Sequence, residues 1–238
     1  MIEYSVVVPA YNEGENLKTL VPNLVKALKP YKKEFEIIIV NDNSKDNSKE
    51  VLTNLQKKYK ELKPIHRTKN EGVGVVIRQG LAAAKGNIII TLDGDNSHDP
   101  AQIPEFLNAL NNYDMVCGSR YVDGGSAKLG IMRKAISGIF NLIFRNFIGL
   151  QIRDFTSGYR AYKRKIIDTI QLTGTGFGTY IEIPIKATLA GFKLGEVPIH
   201  YERRKHGESN LSYRKHGPEY VKIAIKAVIY KMTNWFRY

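Results

Sequence analysis

Three short runs of apolar, largely β-branched residues, each followed by a helical pattern, restrict the fold of this chain more than any other feature. The runs cover residues 4–9, 35–40 and 87–92. After the first run, apolar residues recur at the spacing of one helix face, at Leu17, Leu20, Val21, Leu24 and Leu28. Strands that are apolar at nearly every position are typical of parallel sheets covered by helices on both faces. The 238 residues suffice for one such domain, so we predict an α/β fold.

Polar residues follow each of these runs, and also follow a fourth short run that starts at Met115. The clusters are Pro9-Ala-Tyr11-Asn12-Glu13, Asp42, Asp93-Gly94-Asp95 and Gly118-Ser119-Arg120. In open α/β sheets, ligands bind beyond the carboxyl ends of the strands. We therefore predict that all four clusters converge on one edge of the sheet.

The segment Asp93-Gly94-Asp95 is the sharpest chemical signal. Two carboxylates directly after a buried strand offer oxygen ligands, which Mg²⁺ shares with substrate phosphates. The glycine between them removes a side chain where a ligand has to approach closely. Asp42 and Glu13 are less specific, because Asp42 has the alternative role of a helix cap and Glu13 that of a first-turn helix acid.

Other sequence features exclude common kinds of site. The glycine-rich segment 71–74 lacks a Gly-Lys-Ser/Thr sequence and a third glycine, so it predicts the start of a helix and not a phosphate loop. The histidines have no paired metal-binding spacing, at His66, His98, His200, His206 and His216. A single cysteine, Cys117, excludes an internal disulfide framework.

The net charge of +13 is concentrated in two windows of the sequence. Residues 120–170 hold ten basic and three acidic residues, and residues 197–238 hold nine and three. Such a local excess favours an anionic partner, whether nucleic acid, anionic lipid or a phosphorylated substrate. Solvated surface lysine is the other interpretation.

Both windows contain amphipathic segments. Within residues 131–152, polar residues recur every four positions along an apolar background, at Arg133, Ser137, Asn141 and Arg145. Residues 213–238 combine a possible apolar face with lysines and with Trp235, a composition typical of helices that lie at a membrane surface. The sequence has no apolar run of membrane-spanning length and no signal peptide, so we expect a cytoplasmic protein.

Six ordered motifs together resemble family 2 glycosyltransferases, and within them the polyprenyl-phosphate sugar synthases typified by dolichyl-phosphate mannose synthase. The motifs are Val6-Val-Val-Pro9-Ala-Tyr-Asn-Glu13, Val40-Asn-Asp42-Asn-Ser, Leu92-Asp-Gly-Asp95, Gly118-Ser-Arg120-Tyr, Asp154-Phe-Thr-Ser-Gly158-Tyr-Arg160 and Glu196-Val-Pro-Ile199 with Arg204 and Gly207-Glu-Ser209. The resemblance implies a GT-A fold, a Rossmann-like nucleotide-sugar-binding sheet, over residues 1–212. Residues 131–152 and 213–238 would then be interfacial helices.

The resemblance also implies a role for individual residues. The nucleoside would be held by Pro9, Tyr11, Glu13, Val40 and Asp42. The diphosphate and a divalent metal, Mg²⁺ or Mn²⁺, would face Asp93, Gly94 and Asp95, with Ser97 as a further metal ligand where some relatives have glutamine. Phosphate groups near the reacting centre would be bound by Arg120 and Arg204. The lipid phosphate would be bound by Arg120, Arg133 and Ser137.

The implied reaction is an inverting transfer of a hexose to dolichyl or polyprenyl phosphate. Mannose from GDP-mannose is favoured, and glucose from UDP-glucose stays open. A soluble glycan or protein acceptor is the alternative, and it would require a general base near the acceptor. A nucleic-acid-binding protein is disfavoured, because both basic windows are amphipathic and not evenly basic. The resemblance further implies a peripheral protein at the cytosolic face of a membrane, docked by its own helices or through a membrane partner protein.

Overall fold

The computed structural model describes residues 1–127, 152–154 and 156–202. The predicted interfacial segments, and with them Arg133, Ser137 and Arg204, lie outside the described residues apart from Ile152. Within the described ranges, no helix is both long enough and apolar enough to cross a bilayer.

A seven-stranded mixed sheet forms the centre of the described structure, with strand order β3-β2-β1-β4-β7-β5-β8. All neighbouring strands are parallel except β7, which is antiparallel to both β4 and β5. The strands are β1 (Tyr4–Ala10), β2 (Phe35–Asn41), β3 (Leu62–His66), β4 (Ile88–Thr91), β5 (Met115–Ser119), β7 (Arg160–Lys163) and β8 (Leu194–Pro198). A separate two-stranded parallel ladder joins β6 (Ser126–Ala127) to β9 (His200–Tyr201).

Helices lie on the sheet and bury an apolar cluster on each of its faces. The α-helices are α1 (Gly14–Leu28), α2 (Ser48–Lys58), α3 (Val73–Ala83), α4 (Ile103–Ala109), α5 (Arg164–Thr169) and α6 (Thr179–Leu189). Short 3₁₀ turns cover Lys29–Tyr31 and Pro100–Gln102. The prediction of a mostly parallel sheet with helices on both faces is confirmed.

Helix α1 shows how the apolar spacing produces this packing. The residues predicted to share a face are all fully buried, namely Leu17, Leu20, Val21, Leu24 and Leu28. Burial of each such side chain stabilises the fold by about 1.5–3 kcal/mol relative to exposure. This contribution explains why the apolar face of the helix joins one core cluster with side chains of β1 and β2.

Helix α2 begins later than the cluster Asn41-Asp42-Asn43-Ser44 suggests. Its first residue is Ser48, so Asp42 does not cap it. Asn43 adopts a left-handed conformation with φ 56°, which ends the strand in a turn and delays the helix. Helix α3 starts at Val73, directly after Gly72, as the segment 71–74 predicts.

The topology brings the polar clusters to one edge of the sheet. Strands β1, β2, β3, β4 and β5 run in the same direction, so their carboxyl ends share that edge. Because β7 runs the opposite way, the described residues that precede it, 154 and 156–159, lie at the same edge. The edge therefore collects residues from both halves of the chain.

Candidate active site

The loops after β1 and β2 are joined by hydrogen bonds between side chains and main chain. Asn12, in a left-handed conformation with φ 57°, donates its N–H to Oγ of Ser44 over 2.9 Å. The N–H of Gly14, at the start of α1, donates to Oδ2 of Asp46 over 3.0 Å. The other oxygen of Asp46 accepts from the hydroxyl of Ser48 over 2.6 Å. The second loop thus caps the first helix and fixes the segment around Tyr11.

Asp42, at the end of β2, is held by an arginine that follows β3. Nε of Arg67 donates to Oδ1 of Asp42 over 2.9 Å, and the two side chains are 11% and 5% exposed. The same guanidinium binds Glu71. The N–H groups of Glu71 and Gly72 also face the carboxylate, at 3.4 and 3.3 Å. Asp42 is therefore fixed at the site edge before any ligand binds.

The acidic turn after β4 lies against the end of β1. A Cβ atom on residue 94 would lie 2.9 Å from the carbonyl oxygen of Pro9, so only glycine fits between the two aspartates without a shift. Oδ1 of Asp95 accepts from the N–H of Ser97 over 3.0 Å. Asp95 is almost fully buried, whereas the side chain of Asp93 is 33% exposed. Asp93 is thus the carboxylate of the turn that solvent reaches more readily.

Asn96 ties this turn to α1. Its backbone is left-handed, with φ 59°. Its side-chain amide donates to the carbonyl oxygen of Asn16 and to Oγ1 of Thr19, both over 2.9 Å. Asparagine tolerates the left-handed region better than most residues, and here the amide also bonds across to the helix.

A buried histidine, His98, accepts a hydrogen bond from the main chain of the acidic turn. Nδ1 of His98 accepts the N–H of Asp93 over 3.3 Å, which places the ring proton on Nε2. The ring packs against Tyr159 and Tyr201, at centroid distances of 5.1 and 5.6 Å. Burial lowers the pKa of His98 although Asp93 and Asp95 oppose the shift, so the ring is neutral. This arrangement explains His98 as a structural group and not as part of a metal set.

Tyr180, in the first turn of α6, contacts the side chain of Asp93. Its hydroxyl donates to Oδ1 of Asp93 over 2.9 Å. Burial, together with the adjacent charge of Asp93, raises the pKa of Tyr180 well above its usual value, so the hydroxyl keeps its proton and acts as a donor. A Cβ atom on residue 158 would lie 2.8 Å from the same carboxylate oxygen. Gly158 therefore leaves the space in which this contact forms.

Arg120, at the end of β5, forms a buried ion pair with Asp154. Nε and Nη2 of the arginine donate to the two oxygens of Asp154 over 2.6 and 2.8 Å, and Nη2 also donates to Oγ1 of Thr156. Burial by itself would raise the pKa of Asp154, but the charge and hydrogen bonds of Arg120 lower it below its usual value. The rings of Tyr121 and Tyr201 each lie 5.6 Å from the guanidinium carbon.

A second carboxylate, that of Glu196, contacts the main chain of Asp154. Oε1 of Glu196, on β8, accepts the N–H of Asp154 over 2.8 Å. Burial raises the pKa of Glu196, although hydrogen bonds from the main chain of Arg153 and the side chain of Ser119 act in the opposite direction. The pair of Arg120 and Asp154 is thereby anchored to the edge strand of the sheet.

The family model described as "Glycosyl transferase family 2" matches residues 5–171. The chain belongs to glycosyl transferase family 2. A dolichol-phosphate mannosyltransferase of Pyrococcus furiosus is 33% identical over 98% of this chain, which spans 64% of that relative's length. An undecaprenyl-phosphate mannosyltransferase of Micrococcus luteus is 31% identical, and the match covers 87% of this chain and 86% of that relative's length.

Solved structures show the same fold at lower sequence identity. Glucosyl-3-phosphoglycerate synthase from Mycobacterium tuberculosis, in complex with phosphoglyceric acid, superposes with a TM-score of 0.73 at 17% identity, over 95% of this chain and 80% of that one. The same enzyme in complex with Mn²⁺, UDP and glucosyl-3-phosphoglycerate gives a TM-score of 0.71 at 16% identity, with the same coverage. The sheet of this family 2 glycosyltransferase is thus a GT-A fold.

The structure brings most of the predicted site residues of this family 2 member to the same edge, and the assigned roles stay predictions. Residues at or beside the strand ends are Pro9, Tyr11, Glu13, Asp42, Asp93, Gly94, Asp95, Ser97 and Arg120. Val40 differs, because its side chain is fully buried in the core cluster that contains Val7 and Ile77. Its observed role is packing.

The acidic turn fits a cation shared with a ligand better than a cation enclosed by protein. Among the described residues, no three His, Cys, Asp or Glu side chains come together as a metal-binding group. Asp93 and Asp95 supply two carboxylates, the number that Mg²⁺ usually takes from protein when substrate phosphates complete its shell. The Oγ atom of Ser97 is buried and forms no regular hydrogen bond with any residue that the structure describes. The hydroxyl of Tyr201 lies close enough to interact with it.

The sequence alone assigns no role to several residues that complete the site: Arg67, His98, Asp154, Tyr180 and Glu196. Asp154 and Glu196 lie in motifs that carry the family resemblance, which indicates their importance but not their partners. Arg67 and Tyr180 have no local sequence signal, because their contacts depend on strand order and helix placement.

Proposed function

We propose that this protein transfers a hexose, with mannose favoured, from a nucleotide sugar to dolichyl or polyprenyl phosphate with inversion at the anomeric carbon. One observation supports this most: Asp42, the turn from Asp93 to Asp95 and Arg120 line one edge of a GT-A sheet. The names of the two relatives, both mannosyltransferases acting on polyprenyl phosphates, indicate the substrate class. The catalytic domain would extend over residues 1–212.

The donor's nucleoside would lie between the loops after β1 and β2, which hold Pro9, Tyr11, Glu13 and Asp42. These loops are already joined, because Ser48 and Asp46 accept hydrogen bonds from the N–H groups of Glu13 and Gly14, so little ordering is needed when the nucleoside binds. GDP-mannose is the favoured donor and UDP-glucose the second candidate.

A divalent cation, Mg²⁺ or Mn²⁺, would be held by Asp93 and Asp95, with Ser97 as the third candidate ligand. When bound, the cation would neutralise charge on the diphosphate leaving group. Arg120 and Arg204 would stabilise phosphate charge nearby. Solved complexes of the structurally similar glucosyl-3-phosphoglycerate synthase contain Mn²⁺ together with UDP, which supports a metal at this edge.

The acceptor oxygen needs no general base, because a phosphate monoester with a second pKa of about 6 is largely ionised at neutral pH. Two largely buried carboxylates on the β5 and α6 side already have other partners: Asp154 binds Arg120, and Glu182 binds Thr173 and Lys186. An acceptor phosphate oxygen would form a bond to the anomeric carbon while the bond to the nucleoside diphosphate breaks on the opposite face. Orientation and charge stabilisation would supply most of the catalysis.

The lipid phosphate would be bound by Arg120, Arg133 and Ser137, and the protein would act at the cytosolic face of a membrane. The amphipathic sequences at residues 131–152 and 213–238 support this placement. A membrane-anchoring partner protein is a second means of attachment. Nucleic acid is not an expected partner.

The test is a donor and acceptor screen on the purified protein with Mg²⁺ or Mn²⁺. We expect radiolabelled mannose from GDP-mannose to appear in a polyprenyl-phosphate product that organic solvent extracts. Asp95→Ala should reduce transfer roughly a thousandfold while circular dichroism stays that of the wild type. Transfer to a soluble glycan or protein and not to the lipid phosphate would contradict the acceptor assignment, and full turnover by Asp95→Ala would contradict the metal role.

A second variant, Arg133→Ala, tests whether donor and acceptor are bound by different residues. Arg133→Ala should raise KM for polyprenyl phosphate without an equal change in KM for the nucleotide sugar, because a phosphate-binding arginine acts on one substrate only. Equal increases in both KM values would argue against Arg133 as an acceptor ligand.

A further inference from the structure

Tyr180 makes a contact that the proposed function does not yet use. Its side chain is 7% exposed, yet its hydroxyl reaches Oδ1 of Asp93, the more exposed carboxylate of the acidic turn. Tyr180 comes from α6, which is far from β4 in sequence. A hydrogen bond to a charged group is stronger than one between neutral groups. Because this bond fixes one carboxylate oxygen, it restricts rotation of the Asp93 side chain.

The ring of Tyr180 is fixed from two sides. The guanidinium carbon of Arg160 lies 5.9 Å from the ring centroid, and Arg160 is fully buried in β7. The ring of Phe177 stacks on Tyr180 at a centroid distance of 6.3 Å. The space that Gly158 leaves admits the edge of the ring, because a Cβ atom there would lie 2.9 Å from Cε1 of Tyr180.

Hydrogen bonds also fix the loop that leads into α6. Glu182 accepts hydrogen bonds from the N–H groups of Thr173 and Gly174, over 3.0 and 2.8 Å. The carbonyl oxygen of Thr175 accepts the N–H of Gly74, at the start of α3, over 3.0 Å. The first turn of α6 is therefore anchored to the helix that follows the nucleoside loops, and Tyr180 has a rigid base.

We propose that Tyr180 is a positioning residue for Asp93, which fixes one carboxylate oxygen so that the group is already oriented for the cation and diphosphate of the donor. This inference rests on the proposed metal role of Asp93. A free carboxylate would have to give up rotational freedom when the metal complex forms. The tyrosine removes that cost in advance, so its effect should appear in metal affinity more than in turnover at saturation.

The test compares two Tyr→Phe variants that each remove one buried hydroxyl. Tyr180→Phe removes the bond to Asp93. Tyr162→Phe is the matched control, because its hydroxyl bonds Oγ1 of Thr91 over 2.6 Å, also within the buried sheet, and does not touch the acidic turn. Mn²⁺ binding is measured by electron paramagnetic resonance with GDP and, in parallel, with UDP present.

We expect Tyr180→Phe to weaken Mn²⁺ binding roughly tenfold, the effect of losing one hydrogen bond to a charged group. The Mn²⁺ concentration for half-maximal transfer should rise by a similar factor, while kcat at saturating Mn²⁺ stays within about twofold. Tyr162→Phe should bind Mn²⁺ as the wild type does. Wild-type affinity in Tyr180→Phe, or an equal loss in both variants, would overturn the proposal.

Two further variants separate this inference from the proposed function. Gly158→Ala should also weaken Mn²⁺ binding, because its Cβ would displace the Asp93 carboxylate, and unchanged affinity in a folded Gly158→Ala would count against the proposal. Asp93→Asn should abolish Mn²⁺ binding. If Asp93→Asn bound Mn²⁺ normally, the metal role itself would be wrong, whereas loss in Asp93→Asn with normal binding in Tyr180→Phe would reject only the role of Tyr180.

Discussion

The two halves of the site edge are held together by different chemistry. On the side of β1 and β2, the loops are joined to each other by main-chain N–H groups, hydroxyls and the carboxylate of Asp46, and several of these groups are exposed. One ion pair, between Arg67 and Asp42, is also largely buried on this side. On the side of β5 and β7, full charges are buried, and the carboxylate of Asp154 has no exposed surface. A neutral group that loses its partner can turn to water, whereas a buried charge cannot. The buried pair of Arg120 and Asp154 should therefore be much less tolerant of substitution than the exposed contacts between the first two loops.

The position of β7 causes this difference. Because β7 lies between β4 and β5, the residues just before it lie at the middle of the site edge and not at its end. Asp154 and Arg160 are fully buried as a result. Ionic groups in such a position need partners provided by the fold, and Arg120 is the partner of Asp154.

The most severe test of this contrast is Asp154→Asn. The substitution keeps the size of the side chain but leaves Arg120 as a buried charge without its carboxylate. We expect the free energy of unfolding to fall by about 3–5 kcal/mol, measured by urea denaturation. Transfer activity should also fall, because the guanidinium loses its fixed orientation.

A double variant shows whether the cost comes from the unpaired charge. Arg120→Met combined with Asp154→Leu removes both charges and should be more stable than Asp154→Asn alone, although inactive if Arg120 binds phosphate. If the double variant were the less stable of the two, the pair would be contributing net stability, and the contrast would need another explanation.

The same pair predicts a stability change at acidic pH. Because the folded-state pKa of Asp154 lies below its ordinary value of 3.8, its contribution is fully present above that pH and declines as the pH falls through the folded-state value. We expect the stability difference between wild type and Asp154→Asn to be constant from pH 7 to 5 and to shrink below pH 3.8. Stability curves for the two proteins that stay parallel down to about pH 2.5 would contradict a lowered pKa of Asp154.

Arg67→Met tests the charged contact on the nucleoside side. Asp42 would keep its long bonds from the N–H groups of Glu71 and Gly72 but lose the guanidinium. We expect KM for the nucleotide sugar to rise roughly tenfold, with KM for the acceptor unchanged, because one hydrogen bond to a charged group is lost. Lys18→Met is a suitable control, since its ion pair with Glu15 is about half exposed and should contribute roughly 0.5 kcal/mol or less.

The smallest effect is expected for Ser44→Ala. The hydroxyl accepts one hydrogen bond from the exposed N–H of Asn12, and water can replace it. Stability should fall by about 1 kcal/mol or less in the same urea assay. A loss as large as that of Asp154→Asn would remove the distinction between the two halves.

The first half of the chain was the more predictable from sequence. Strands β1, β2 and β4 coincide with nearly continuous apolar runs, and α1 follows regular apolar spacing, so burial of these side chains is enough to predict them. The ends of these strands correctly indicated where Asp42 and Asp93 lie. Strand β3 escaped prediction because it contains Lys63 and Pro64, which an edge strand accommodates and a central strand does not.

The second half was predictable only as a set of motifs. Strand β7 has four residues and begins with Arg160, so it has neither the length nor the apolar composition that marks a buried strand. Its insertion between β4 and β5 brings Asp154 to Arg120 and Tyr180 to Asp93. No spacing along the chain encodes these pairs, since each depends on which strands become neighbours.

The late arrival of β7 also determines the order in which this protein can assemble during synthesis. Strands β1 to β4 can pair as soon as they leave the ribosome, but β5 has both of its partners, β7 and β8, later in the chain. Until residue 160 emerges, β4 ends the nascent sheet with unpaired main-chain groups, and β5 has no neighbour to join. Nascent chains of intermediate length should therefore be the ones that aggregate or recruit chaperones most readily.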